Sequence, residues 1–134
     1  MKDKVFIDTN ILIYLFSNDI YKKDMAKELL INNPTISIQV CNEISNILLK
    51  KYNFNEIEVK EILQQILKNV NLYKIEQKTI FKALDIKNRY HFSYYDSLII
   101  SSAVKSNCNI LYSEDMQHNQ QIYNLKIINP FKEK

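Results

Sequence analysis

Glycine is missing altogether from this chain of 134 residues, and only two prolines occur, Pro34 and Pro130. Every turn must therefore be built by Asn, Asp, Ser or Lys, and runs such as Asn32-Asn33, Ser17-Asn18-Asp19 and Lys105-Ser106-Asn107-Cys108-Asn109 supply them. Asparagine tolerates the left-handed backbone region better than most residues and is the natural substitute. The lack of glycine is read as a compositional bias of the source, and no function is attached to it. Cysteine is scarce as well: Cys41 lies in a helical pattern and Cys108 at a loop-to-strand junction. Neither belongs to a CxxC or Cys/His arrangement, so a thiolate metal site is excluded and two free thiols are expected.

Long apolar runs are also missing, and none approaches the ~20 residues that a membrane span requires. Lys2 and Lys4 precede apolar residues in the manner of a signal peptide. The polar triplet Asp8-Thr9-Asn10 breaks that stretch, however, and no small-residue cleavage site follows. A soluble, cytoplasmic protein with no membrane partner is expected. Neither sign of charge dominates: 18 Lys and Arg against 15 Asp and Glu leave a formal net charge of +3. That is compatible with an RNA substrate or an acidic partner and too small to argue for either. What is present is 46% hydrophobic content, ample for one packed core. No repeat, linker or low-complexity block divides the chain, so one domain over residues 1–134 is expected.

Short apolar runs alternate with longer helical periods. Val5-Phe6-Ile7 reads as a buried strand, followed by a helix through Leu15. Further helices are expected over Asp24 to Leu30, Gln39 to Tyr52, Glu56 to Val70, Gln77 to Arg89 and Tyr94 to Lys105. Strands are expected at Thr35 to Ile38, Leu72 to Ile75, Asn109 to Tyr112 and Lys126 to Ile128, with a short helical stretch near Gln120. Strands separated by helices imply an α/β fold: a mostly parallel central sheet covered on both faces, in three α/β/α layers.

In such a sheet, ligands bind beyond the carboxyl ends of the strands. Asp8 directly follows the first strand, and Glu43 lies one turn into the helix after the second. Asp96 lies in the first turn after Ser93, and Asp115 follows the fourth strand. Taken singly, each acid has a bland explanation. Asp8 and Asp96 read as capping residues, Ser113 to Asp115 as a turn, and Glu43 as a surface acid. Gln39, Glu43, Asn46 and Lys50 form a polar stripe bordering the apolar face of their helix, which suits a cleft wall or a solvated edge equally. The combination is more informative. Clustered carboxylates raise one another's pKa unless a cation neutralises them. All-oxygen donors without His or Cys match Mg²⁺ or Mn²⁺ rather than zinc. Such an ion activates water for in-line displacement at phosphorus.

Four segments carry a family resemblance. Phe6 to Leu12 holds a hydrophobic-Asp-Thr-Asn motif, Ile36 to Glu43 a second motif ending in an acid, Phe92 to Ile100 a third and Leu111 to His118 a fourth. In this order, and with the closing Leu125 to Phe131, the chain resembles the PIN-domain ribonucleases, and among them the VapC-like toxins of bacterial toxin–antitoxin pairs. The resemblance implies a PIN-like α/β/α domain and a Mg²⁺- or Mn²⁺-dependent endoribonuclease; the all-carboxylate site itself leads us to expect attack by a metal-bound water, leaving 5′-phosphate and 3′-hydroxyl ends. The resemblance also implies a homodimer silenced by an antitoxin whose tail enters the acidic cleft. Asn119 stands where many relatives have glycine, a departure expected to alter a turn and not the chemistry.

Asp8, Asp96 and Asp115 are the expected metal ligands, with Glu43 as a further ligand or an orienter of metal-held water. Thr9 and Asn10 are expected to position Asp8 or a phosphate, and Ser113 and Asn46 to orient the carboxylates. Glu114 is expected to face solvent. His91 and His118 read as ordinary surface or packing residues. Lys22, Lys23, Lys50 and Lys51 are candidate phosphate contacts, more simply read as solvated helix ends. The helices around Ile20 to Leu30 and Val59 to Val70 offer apolar surface for a dimer or antitoxin contact. Two rival readings remain: a silent binding module of the same fold, and a phosphoacceptor receiver domain. The receiver would place adjacent acids after the first strand, where this chain has Thr9 and Asn10.

Overall fold

The computed structural model describes residues 3–132. Strand β1 (Val5–Ile7) buries Phe6 and Ile7 completely and stops at Asp8, which is extended and caps the short helix α1 (Thr9–Ile13). A 3₁₀ turn over Tyr14–Phe16 follows, and then helix α2 (Ile20–Ile31), capped by the Asp19 carboxylate. Strand β2 (Thr35–Ser37) runs directly into α3 (Ile38–Lys50), whose cap is the Ser37 hydroxyl. Helix α4 (Glu56–Leu67) begins in a capping box between Asn55 and Glu58. Strand β3 (Asn71–Tyr73), helices α5 (Gln77–Tyr90) and α6 (Tyr94–Lys105), and strand β4 (Ile110–Tyr112) come next. The chain closes on β5 (Gln121–Ile122) and β6 (Leu125–Ile128).

The six strands form one sheet in the order β3-β2-β1-β4-β6-β5, parallel except for the β5–β6 pair. From β1 the chain winds outward to β2 and β3, then crosses back to add β4 on the other side of β1. Right-handed crossovers in opposite directions put α1 to α4 on one face and α5 and α6 on the other. This gives the three-layer α/β/α arrangement. The order reverses between β1 and β4, which pair through Ile7 and Tyr112, so the crevice of the fold opens where these two strands end. Fully buried Phe6, Ile36, Ile44, Leu48, Ile100 and Leu111 form the core beneath it.

Three sequence expectations need correction. Helix α2 begins at Ile20 rather than near Asp24, because the Asp19 carboxylate accepts from the Lys22 backbone N–H and starts the helix a turn earlier. The strand expected over Leu72 to Ile75 lies at Asn71–Tyr73, in register with Thr35–Ser37. The stretch around Gln120 is not helical. Gln121 and Ile122 pair antiparallel with β6, and this inserts the Ile122 side chain fully into the core. Asparagine does replace glycine: Asn33, Asn53, Asn107 and Asn119 take positive φ, with Asn119 at 70°. Among the described residues no helix is long and apolar enough to cross a membrane.

Candidate active site

Each acid reaches the crevice through an ordinary local device. Asp8 is placed by continuation of the sheet, because its backbone N–H donates to the Tyr112 carbonyl at 3.0 Å. Its carboxylate accepts from the Thr9 backbone N–H at 2.7 Å and from the Ser113 hydroxyl at 2.9 Å. The capping explanation of Asp8 is thus realised, and it fixes the carboxylate at the end of β1. Glu43, one turn into α3, accepts from the Thr9 hydroxyl at 2.5 Å. Asp96 enters from the opposite helical layer, held in the first turn of α6 by its backbone N–H on the Ser93 hydroxyl at 3.2 Å. Asp115 follows β4 and accepts from the Asn10 side-chain amide at 2.6 Å.

These residues line one cleft of about 370 Å³: Asp8, Thr9, Asn10, Glu43, Asn46, Ile47, Asp96 and Asp115. All four acids, both members of the Thr9-Asn10 pair, and Asn46 therefore meet there. Ser113 sits just behind, fully buried beneath Asp8. Electrostatics set Asp8 apart. Burial pushes its pKa up to about 7 against the hydrogen bonds from Ser113 and Thr9, and the charges of Glu43 and Asp96 push the same way. Asp96 is also raised, chiefly by burial, with the Asp115 charge adding to it.

The donor set fits a hard divalent cation. Every ionisable group in the cleft is a carboxylate, and the Asn10 side-chain oxygen is buried without a hydrogen-bond partner. Among the described residues, no three Asp, Glu, His or Cys side chains already close on a common point. Each of three acids instead has a neutral hydrogen-bond partner: Glu43 has Thr9, Asp115 has Asn10 and Asp8 has Ser113. Neutral donors hold the acids as a lined cleft rather than a preformed cage.

Glu114 corrects the expectation of a solvent-facing acid. It is three-quarters buried, accepts from the Tyr14 hydroxyl, and pairs with Lys22 at 2.9 Å. Burial alone would raise its pKa, but these two partners hold it below the usual carboxylate range. Lys22 in turn lies 4.6 Å from the centre of the Tyr14 ring, so this lysine is engaged and is not a free phosphate contact. His118 is a structural tether whose Nδ1 accepts from the Asn129 backbone N–H at 2.9 Å. His91 closes α5 in the left-handed conformation. Tyr14 was missed in the sequence because it reads as one more residue of an apolar helix.

A doubly wound α/β sheet with four acids at its switch point is the class that fold and cleft define. The family model named PIN domain matches residues 5–121, and the chain belongs to that family. Among solved structures, a toxin–antitoxin complex from Klebsiella pneumoniae superposes with a TM-score of 0.74 at 22% identity, covering 96% of this chain and 99% of that one. VapC20 of Mycobacterium tuberculosis, a sarcin–ricin-loop-cleaving toxin, gives a TM-score of 0.67 at 17% identity over 84% of this chain and 90% of that one. VapBC2 of Rickettsia felis, bound to a promoter DNA fragment, gives 0.66 at 22% identity over 92% and 96%. At these identities the likeness is one of fold. Compared by sequence alone, no curated protein matches the chain.

Proposed function

We propose that this protein is a Mg²⁺- or Mn²⁺-dependent endoribonuclease and the toxin of a toxin–antitoxin pair. The observation that carries the reading is Asp8, a buried carboxylate with pKa about 7 that shares its cleft with three more acids. Such a group is only partly ionised at neutral pH, a bound cation would favour its charged form, and an all-oxygen cleft selects a hard one. Asp8, Asp96 and Asp115 would hold it, with Glu43 as a further ligand or orienter. When bound, the ion supplies positive charge for the phosphate oxygens and an activated water for in-line attack. Ser113 keeps Asp8 oriented, Thr9 does the same for Glu43, and Asn10 for Asp115. Asn46 lies on the same wall.

The toxin assignment rests on the family and on the solved neighbours, one of them a toxin–antitoxin complex and another a sarcin–ricin-loop-cleaving toxin. A surface feature supports a protein partner. A groove of about 650 Å³ between α2 and α4 is floored by Leu15, Phe16, Leu30, Ile62 and Ile66 and rimmed by Lys27 and Glu61. An antitoxin segment seated there, and a homodimer of the toxin, complete the reading.

The test compares wild type with Asp8→Asn and Asp96→Asn on RNA in Mg²⁺. Each variant should lose roughly 100-fold or more of the cleavage rate. Thermal stabilisation by Mg²⁺ alone should disappear in both. Equal activity in all three proteins sinks the assignment, and EDTA-resistant cleavage or 2′,3′-cyclic phosphate ends exclude metal-assisted hydrolysis. Intact folding and RNA binding without cleavage by wild type would leave the silent binding module in its place.

A further inference from the structure

A second cavity of about 400 Å³ adjoins the acid cleft, and the two share Glu43 and Asn46 as common wall. Its floor is apolar, from Ile38, Ile75 and Leu98, and its rim carries Tyr95, which is 64% exposed. Tyr95 immediately precedes Asp96 and is braced against Tyr94, ring centre to ring centre 5.3 Å. Gln39 also lines this cavity. It is only 7% exposed; its amide nitrogen donates to the Tyr95 carbonyl at 3.4 Å, and its side-chain oxygen is buried with no partner. A buried polar atom left unpaired costs free energy and is usually matched by water or a ligand.

We infer that this cavity is a nucleobase subsite, taking the base next to the phosphate that lies over the acid cleft. This deepens the ribonuclease reading and rests on it. An apolar slot beside an exposed, braced tyrosine is the arrangement on which single-stranded bases stack. The Gln39 oxygen has only acceptor capacity, so a base edge that reaches it must present an N–H donor at that point. Cytosine offers that donor, and uracil carries an oxygen at the equivalent position. Continuity with the cleft through Glu43 and Asn46 ties the base to the reacting phosphate rather than to a remote surface.

The experiment measures binding of fluorescein-labelled oligocytidine and oligouridine six-mers by anisotropy. It uses the full chain carrying Asp8→Asn, so that binding is read without cleavage. Oligocytidine should bind roughly fivefold or more tighter than oligouridine. Adding Tyr95→Ala should weaken both RNAs roughly tenfold, while Tyr95→Phe, which keeps the stacking face, should restore binding. Adding Gln39→Met should erase the preference for cytosine and leave oligouridine binding unchanged. Melting temperatures of all variants are compared first; Tyr95 is exposed, and Tyr95→Ala should leave folding intact. Unchanged binding and preference in both Tyr95→Ala and Gln39→Met overturns the subsite while leaving the ribonuclease reading standing. A change in oligomeric state with Tyr95→Ala, at unchanged RNA affinity, overturns it in favour of a contact between copies. If neither the parent nor the wild-type protein binds or cleaves RNA, the ribonuclease reading itself falls, and the subsite with it.

Discussion

Asp8 carries its charge at a cost, and the sign of that cost determines how the site responds to pH. Its carboxyl titrates at about 7 when folded, against 3.8 for the ordinary group. Between those values the folded protein binds more protons than the unfolded chain, so this residue makes stability fall as pH rises, with the loss complete above about 7. Replacing it by the uncharged isostere removes the loss. Asp8→Asn should therefore be more stable than wild type at pH 8 without divalent ions, on the order of 1–4 kcal/mol, and nearly equal to it at pH 4. Chemical denaturation at the two pH values reads this directly, and a variant destabilised at pH 8 would contradict it. The same proton competes with the cation. Mg²⁺ affinity should climb as pH rises toward about 7 and level off above it, as titration calorimetry can follow. Ser113→Ala removes a donor that lowers the Asp8 pKa. It should move the plateau to higher pH and weaken Mg²⁺ binding roughly 10- to 100-fold.

At the scale of elements, the cleft depends on a connection between α2 and the segment after β4. Lys22, in the first turn of α2, reaches Glu114, and Tyr14 in the 3₁₀ turn before that helix completes the contact. Glu114 is thereby turned away from the crevice, and its neighbour Asp115 is left facing Asn10 inside it. Lys22→Met should loosen this segment. Amide exchange at residues 114–119 should speed up and Mg²⁺ affinity should fall severalfold, while exchange in β1 stays as in wild type. Unaltered exchange and metal affinity would show that Asp115 is placed without this contact. The same elements explain what could be read in the sequence. Asp8, Asp96 and Asp115 were legible because each stands just past a strand end or in a first helical turn, and Glu43 because it falls one turn into α3 on the polar stripe beside the apolar face. The Lys22–Glu114 pair spans 92 residues, and no local periodicity announces it. Exposed Ile20 and Tyr21 at the start of α2 hid the Asp19 cap by blurring the helical pattern. The two-residue strand β5 is too short for alternation to show, so its pairing with β6 emerged only from the fold.

For the whole molecule, the open question is whether one sheet with helices on two faces behaves as one cooperative unit. The core argues that it does. One continuous apolar cluster joins Phe6 of β1, Leu48 of α3, Ile66 of α4, Ile86 of α5, Ile100 of α6 and Ile127 of β6. No layer can open without exposing the other. The site straddles the same layers: Glu43 enters from α3, Asp96 from α6, and Asp8 from the strand between them. A cation bound there would stabilise the native state as a whole, by about 2.7 kcal/mol at a concentration 100 times its dissociation constant. Urea unfolding should accordingly be a single transition, and far-UV circular dichroism and tyrosine fluorescence should give the same midpoint. Mg²⁺ should raise that midpoint equally for both probes. Hydrogen exchange supplies the sharper comparison, because the slowest amides of β1 and β6 should gain the same protection from Mg²⁺ if one unit opens. Protection confined to β1 and the helices lining the cleft, with β6 unmoved, would mean that the hairpin edge unfolds separately. In that case the expectation of one domain over the full chain would fail.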